Sequence, residues 1–172
     1  MVLARIWEAR ADLDRASYHA EEMLALTTGI PEATWRALAL ETGARIAALR
    51  GASVLAMGYI EKALTLVASS WIPVAAWRVH ASAAELYERM ERSESAQHYR
   101  VLSRATILRL GAFAIVRKAT PSHFLSAPSI SKVLGARWKQ RFLGRNSRRW
   151  NETQCREYGQ SAAVAPRNAI KC

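Results

Sequence analysis

Small and apolar positions along this chain recur at a fixed interval. Alanine stands at 4, 44 and 84 and again at 16, 56 and 96, a spacing of forty residues in both series. Larger positions keep the same register, with Ile6, Ile46 and Leu86 in one series and His19, Tyr59 and Tyr99 in another. A further echo, Pro31 with Trp35-Arg36 against Pro73 with Trp77-Arg78, is offset by 42 residues and implies a small length difference in one turn. Self-similarity at such a period marks an array in which each unit is one supersecondary element that buries its apolar face against its neighbours.

Within each unit the two alanines lie twelve residues apart. Two small side chains at that distance, with a turn between them, let two antiparallel helices approach closely where they cross. Each unit is therefore expected to be a helical hairpin. Gly29-Ile30-Pro31 and Ser70-Trp71-Ile72-Pro73 separate one hairpin from the next, with proline near the first helical turn, where its missing N–H costs nothing. Gly51 falls at a hairpin tip, and Ser93-Glu94 offers an N-cap followed by a first-turn acid. The pattern predicts helices over about 2–10, 13–27, 32–50, 53–69, 74–91 and 94–117. Alanine, leucine, arginine and glutamate dominate while β-branched runs are scarce, so little or no strand is expected.

Composition fits that picture. A chain of 172 residues with 51% hydrophobic content has ample material for one buried core. Its net charge of +11 is unevenly placed. Residues 1–135 carry 16 basic and 12 acidic side chains, whereas residues 136–172 carry 9 and 2, so most of the excess sits in the last fifth. Both cysteines, Cys155 and Cys172, lie in that basic stretch without a C-x-x-C partner, so neither a disulfide framework nor a zinc site is expected. The greasiest segment, Gly51 to Trp77, has Glu61 and Lys62 at its middle, where a membrane would penalise each by roughly 2.5 to 3.5 kcal/mol. A buried helix pair is the better reading. The start of the chain lacks the basic-then-apolar order of a secretory signal, and the expected location is cytoplasmic.

Catalytic chemistry finds no foothold in the pattern. No G-x-x-x-x-G-K-[ST] phosphate loop occurs, and no G-x-G-x-x-G follows a strand. His19, His80, His98 and His123 are scattered. His19 and Glu22 sit one helical turn apart, yet a single such pair supplies too few ligands for a metal, and a surface imidazole is the preferred reading. Ser122 and His123 are adjacent, and adjacent residues on a helix point apart. No catalytic residue, cofactor or metal ligand is nominated. Trp7, Trp35, Trp77 and Tyr87 recur at repeat positions, where core or inter-repeat packing is their expected work.

The alanine pair twelve residues apart, with an aromatic three beyond the first alanine at Trp7 and Tyr87, resembles the tetratricopeptide repeat, here with a longer first helix than that family's unit of about 34 residues. The stretch Trp77-Arg78-Val79-His80-Ala81-Ser82-Ala83-Ala84-Glu85-Leu86-Tyr87-Glu88-Arg89, with Phe124 to Leu134 after it, resembles the C-terminal helical ends of large bacterial signalling ATPases linked to nucleotide-cyclase or transcription-regulator domains. In such proteins the array senses or docks a partner while other domains carry the chemistry. The tetratricopeptide resemblance implies an inner groove lined by the first helix of each hairpin, at Arg5 and Glu8, Arg45 and Ala48, and Glu85 and Glu88. A mixed-charge groove of that kind suits a peptide carrying both signs.

From Ala136 the composition shifts. Arg137, Trp138, Lys139, Arg141, Arg148, Arg149 and Trp150 interleave guanidinium groups with aromatics, a combination able to hold phosphates and stack on bases. The preferred reading is a disordered basic tail over 136–172, following a helical repeat domain over 1–135. The sequence thus predicts an all-α chain: antiparallel hairpins stacked as a short tetratricopeptide-like α-solenoid, closed at its C-terminal end by the helix through Leu102 to Val116 and by Pro128 to Leu134. The expected function is a protein-protein interaction module, a fragment of a larger bacterial signalling or regulatory protein of the ATPase or cyclase type. It is expected to have no catalysis of its own, no cofactor, no membrane span and no small-molecule substrate. The alternative is a basic nucleic-acid-binding protein acting through the tail.

Overall fold

Forty residues is the period of the backbone as well as of the alanines. In the computed structural model, which describes residues 2–116 and 127–135, three turns repeat bond for bond. The backbone N–H groups of Asp12, Ala52 and Arg92 donate to the carbonyls of Trp7, Ala47 and Tyr87 at 3.0, 2.9 and 2.9 Å. Those of Ala16, Ala56 and Ala96 donate to the carbonyls of Asp12, Ala52 and Arg92 at 3.0 Å each. Between these bonds Ala11, Gly51 and Glu91 all take positive φ, at 58°, 76° and 59°. Each is a helix ended by one left-handed residue, whose bonds satisfy the last carbonyls of the helix.

Six helices flank and join these turns: α1 (Val2–Ala9), α2 (Leu13–Thr28), α3 (Ala33–Leu49), α4 (Ser53–Ser69), α5 (Pro73–Arg89) and α6 (Ser93–Val116). A seventh, α7 (Pro128–Leu134), follows. No strand occurs among the described residues, and none of their helices is long and apolar enough to cross a membrane. Predicted and observed helix ends agree to within two residues. Ser93 is the first residue of α6 rather than its cap. Pro73 opens α5 as expected, but Pro31 lies outside α3, whose cap is Glu32. The Glu32 carboxylate accepts the N–H groups of Thr34 and Trp35, and the Thr34 contact holds its pKa below the ordinary carboxylate value.

Helices joined by three-residue turns pack against each other as α1 with α2, α3 with α4 and α5 with α6. Each pair then meets the next through its first helix: α3 packs on both α1 and α2, and α5 on both α3 and α4. All six repeat alanines are buried, at 0% exposure for Ala4, Ala16, Ala44, Ala56 and Ala96 and 3% for Ala84. The main core runs from Ala37 and Leu40 of α3 through Ile60 of α4 to Val79 and Leu86 of α5. A smaller cluster joins Ala4, Ala16 and Ala20 to Ile46 beside Trp7, whose ring carries the guanidinium groups of Arg10 and Arg15 at 5.3 and 4.4 Å. A third places Ile130 and Leu134 of α7 on Ile107 of α6, next to Trp77.

The 42-residue echo does not survive in space. Because α3 begins at 33 and α5 at 73, Trp77 corresponds to Ala37, and Trp35 to Ala75. Trp77 packs as expected, whereas Trp35 is 53% exposed, a correction to its expected burial. Its counterpart Ala75 is buried in the cluster that holds Ala37 and Leu38 of α3.

The three turns make a direct test available. An L-residue with a side chain at positive φ carries a conformational cost of about 1 kcal/mol that glycine lacks. Ala11→Gly and Glu91→Gly are each expected to raise the free energy of urea unfolding by about 0.5–1 kcal/mol, and Gly51→Ala to lower it by about 1 kcal/mol.

Candidate functional site

The first helices carry a connected row of charges across their packed sides. Arg45 of α3 reaches back to Glu8 of α1, and Arg78 of α5 reaches back to Glu41 of α3 at 2.8 Å. Both pairs span 37 residues and join the first helices of consecutive hairpins. Arg45 also approaches Glu41 at 3.6 Å, and the Ser82 hydroxyl donates to Glu41 at 2.7 Å. The Glu41 side chain is only 2% exposed. A carboxylate that dry requires donors on both oxygens, and it has them. Arg5 stands in the same field: burial lowers its pKa, nearby Arg78 and Arg45 lower it further, and Glu41 and Glu8 partly offset them.

Beside this row lies a polar cavity of about 210 Å³, lined by Glu8 of α1, Arg45 of α3, Ser82, Glu85 and Arg89 of α5, and Lys132 of α7. Lys132 pairs with Glu85 at 3.2 Å. Three of the expected groove residues, Glu8, Arg45 and Glu85, therefore line one hollow together with Ala48, and Arg5 shares their electrostatic environment. Glu88 is not on that lining and pairs with Arg100 of α6 at 2.6 Å. Sequence reasoning missed Glu41, Arg78, Arg89 and Lys132. One signal was present: Glu41 is a single acid inside the otherwise apolar and small run from Ala37 to Ala44, and it stands 37 residues before an arginine, as Glu8 does. Arg137, Trp138, Lys139, Arg141, Arg148, Arg149 and Trp150 lie outside the described residues, as do Ser122 and His123.

A second feature sits between α5 and α6. The His80, Tyr99 and Tyr87 rings form a stacked row, with centroids 6.0 Å apart for His80 and Tyr99 and 5.4 Å for the two tyrosines. The Nδ1 atom of His80 is buried without a hydrogen-bond partner among the described residues. Burial, with a smaller contribution from His98, pushes its pKa down to about 4. Burial likewise raises that of Tyr99. The imidazole is thus held neutral against an aromatic stack, with His98 edge-on to Tyr99 at 5.2 Å between ring centroids. His19 and Glu22 do meet, at 3.2 Å, but the described residues hold no group of three or more His, Cys, Asp or Glu side chains able to bind a metal. No known family model matches the chain, and no curated protein or solved structure shows significant similarity to it.

Two consequences can be measured. Glu41→Ala leaves Arg78 in a dry setting without its carboxylate and is expected to cost about 3–5 kcal/mol in guanidinium unfolding, whereas the double change Glu41→Leu with Arg78→Met recovers a large part of it. The His80 ring binds a proton more weakly in the folded state, at about 4, than at its ordinary 6.5. Its contribution is therefore complete above pH 6.5 and is lost as pH falls, levelling off below about 4 at roughly 3 kcal/mol. His80→Phe is expected to flatten the stability curve between pH 6.5 and 5.

Proposed function

We propose that this chain is a protein-interaction module: a short tetratricopeptide-like solenoid of three helical hairpins that binds a peptide or protein segment along the side where its first helices line up, with no catalysis of its own. The observation that carries this reading is the polar cavity to which α1, α3, α5 and α7 all contribute. Four elements far apart in sequence converge there with carboxylates and cations side by side: Glu8 and Glu85, Arg45, Arg89 and Lys132. Burial of Glu8 and Arg45 against each other fixes the floor of the hollow, while Glu85 and Lys132, at 55% and 79% side-chain exposure, form a rim that a ligand can reach. The threefold turn motif supports the array reading, because units that repeat backbone bond for backbone bond stack in one way.

A segment suited to this surface carries both signs of charge and lies extended or as a short helix across the first helices. Rim charges of this kind govern association and specificity more than raw affinity. The relation to the helical ends of larger signalling ATPases belongs to the same proposal, since in such proteins a module of this sort docks a partner and leaves chemistry to other domains.

The test is selection of peptides from a random display library on the full chain, followed by titration against rim variants. Selected peptides are expected to bind with an affinity that falls about tenfold or more on Glu85→Lys or Arg89→Glu, and to weaken as salt rises. If the selected binders ignore both charge reversals, the rim is not the binding surface and this reading fails.

A further inference from the structure

Three carboxylates stand in and beside the polar hollow, and each has a cation of its own. Glu8 pairs with Arg45, Glu41 with Arg78 at 2.8 Å and Glu85 with Lys132 at 3.2 Å. Two guanidinium groups are left over. Arg89, in the last turn of α5, lines the hollow, is exposed, and makes no ion pair or hydrogen bond among the described residues. Arg5 of α1 is half-buried and likewise makes no ion pair among the described residues. It does not line the hollow, but it stands in the field of Glu8 and Arg45, which do.

This surplus of two positive charges is felt at Arg5. Burial lowers the pKa of that guanidinium first, and repulsion from Arg78 and Arg45 lowers it further, with Glu41 and Glu8 offsetting part of the change. A guanidinium drawn out of water among like charges is costly until an anion joins the group. The hollow has room for one. Its volume of about 210 Å³ equals the share of roughly seven water molecules in the liquid, enough for one anionic head group with some hydration and too little for a length of peptide.

Charge and shape select among anions. A guanidinium fork grips two oxygens of a phosphoryl group at once. Near pH 7 that group carries about −1.5 to −2, which matches the surplus, whereas a carboxylate matches half of it. Lys132, 79% exposed and paired with a Glu85 that is itself 55% exposed, is free to turn from that carboxylate toward a newcomer. The geometry points to this hollow as a phosphoryl-binding site, in which a phosphorylated side chain of the docked segment is gripped by Arg89 with Lys132 and Arg45 around it. This inference rests on the interaction-module reading and adds the chemistry of the anchor.

The test is a titration of the full ¹⁵N-labelled chain at constant ionic strength, near pH 7.5, reading the arginine Nε–Hε signals. Inorganic phosphate is expected to shift the Arg89 signal saturably with a Kd of about 1–10 mM, and acetate to shift it far less. Read at Arg45, phosphate binding is expected to weaken about tenfold or more with Arg89→Gln, to tighten about threefold with Glu85→Gln, which releases Lys132, and to stay unchanged with Arg100→Gln, outside the hollow. A library-selected peptide resynthesised with phosphoserine in place of its acidic anchor is expected to bind about tenfold or more tighter than its parent. An Arg89 signal unmoved by about 50 mM phosphate, or moved equally by acetate, overturns the phosphoryl site while peptide binding at the rim stands. Phosphate binding without the phosphoserine gain, or by a chain that selects no peptide at all, assigns the hollow to a small phosphate compound and overturns the docked-segment proposal.

Discussion

Two helices can lie against each other only as closely as the side chains between them allow, and in this chain the limiting side chain is alanine. Each of the six alanines at the repeat positions is sealed from solvent. Because a methyl group fills so little space, larger residues such as Ile46, Ile60 and Leu86 are buried alongside the alanines. The turns follow from the same closeness. A three-residue connection between packed helices leaves room for one residue at positive φ, and the chain repeats that solution at Ala11, Gly51 and Glu91, twice without the help of glycine.

Onto this apolar frame the chain threads a polar seam. Glu41 lies in the middle of α3's buried face and would be untenable there alone. Arg78 from the next unit, Arg45 from its own helix and Ser82 together make it tenable. The seam links α1, α3 and α5 in order, through Glu8 with Arg45 and Glu41 with Arg78. Apolar surfaces tolerate sliding, whereas a buried carboxylate tolerates only the register in which its donors arrive. The polar cavity at the side of this seam borrows its floor from these pairs, so the candidate binding surface and the stacking of the units rest on shared residues.

The two ends of the array differ in kind. At one end α7 covers Ile107 and Trp77, and the charged pairs of Lys132 with Glu85 and Arg100 with Glu88 finish the surface. At the other end Val2, Leu3, Leu26 and Trp35 are exposed.

Much of the architecture was legible in the sequence. The alanine period, the hairpins, the helix ends, Gly51 at a tip and the closing segment Pro128 to Leu134 all follow from local rules, since helix propensity, capping and periodicity are properties of neighbouring residues along one chain. The exposure of Trp35, the equivalence of Trp77 with Ala37, the diversion of Glu88 to Arg100 and the meeting of Glu41 with Arg78 were decided only by the tertiary structure. Each of these depends on how far one helix extends beside another and on the rotation that brings two side chains face to face. A one-dimensional pattern records which residues share a helix face, but it does not record which face lies opposite.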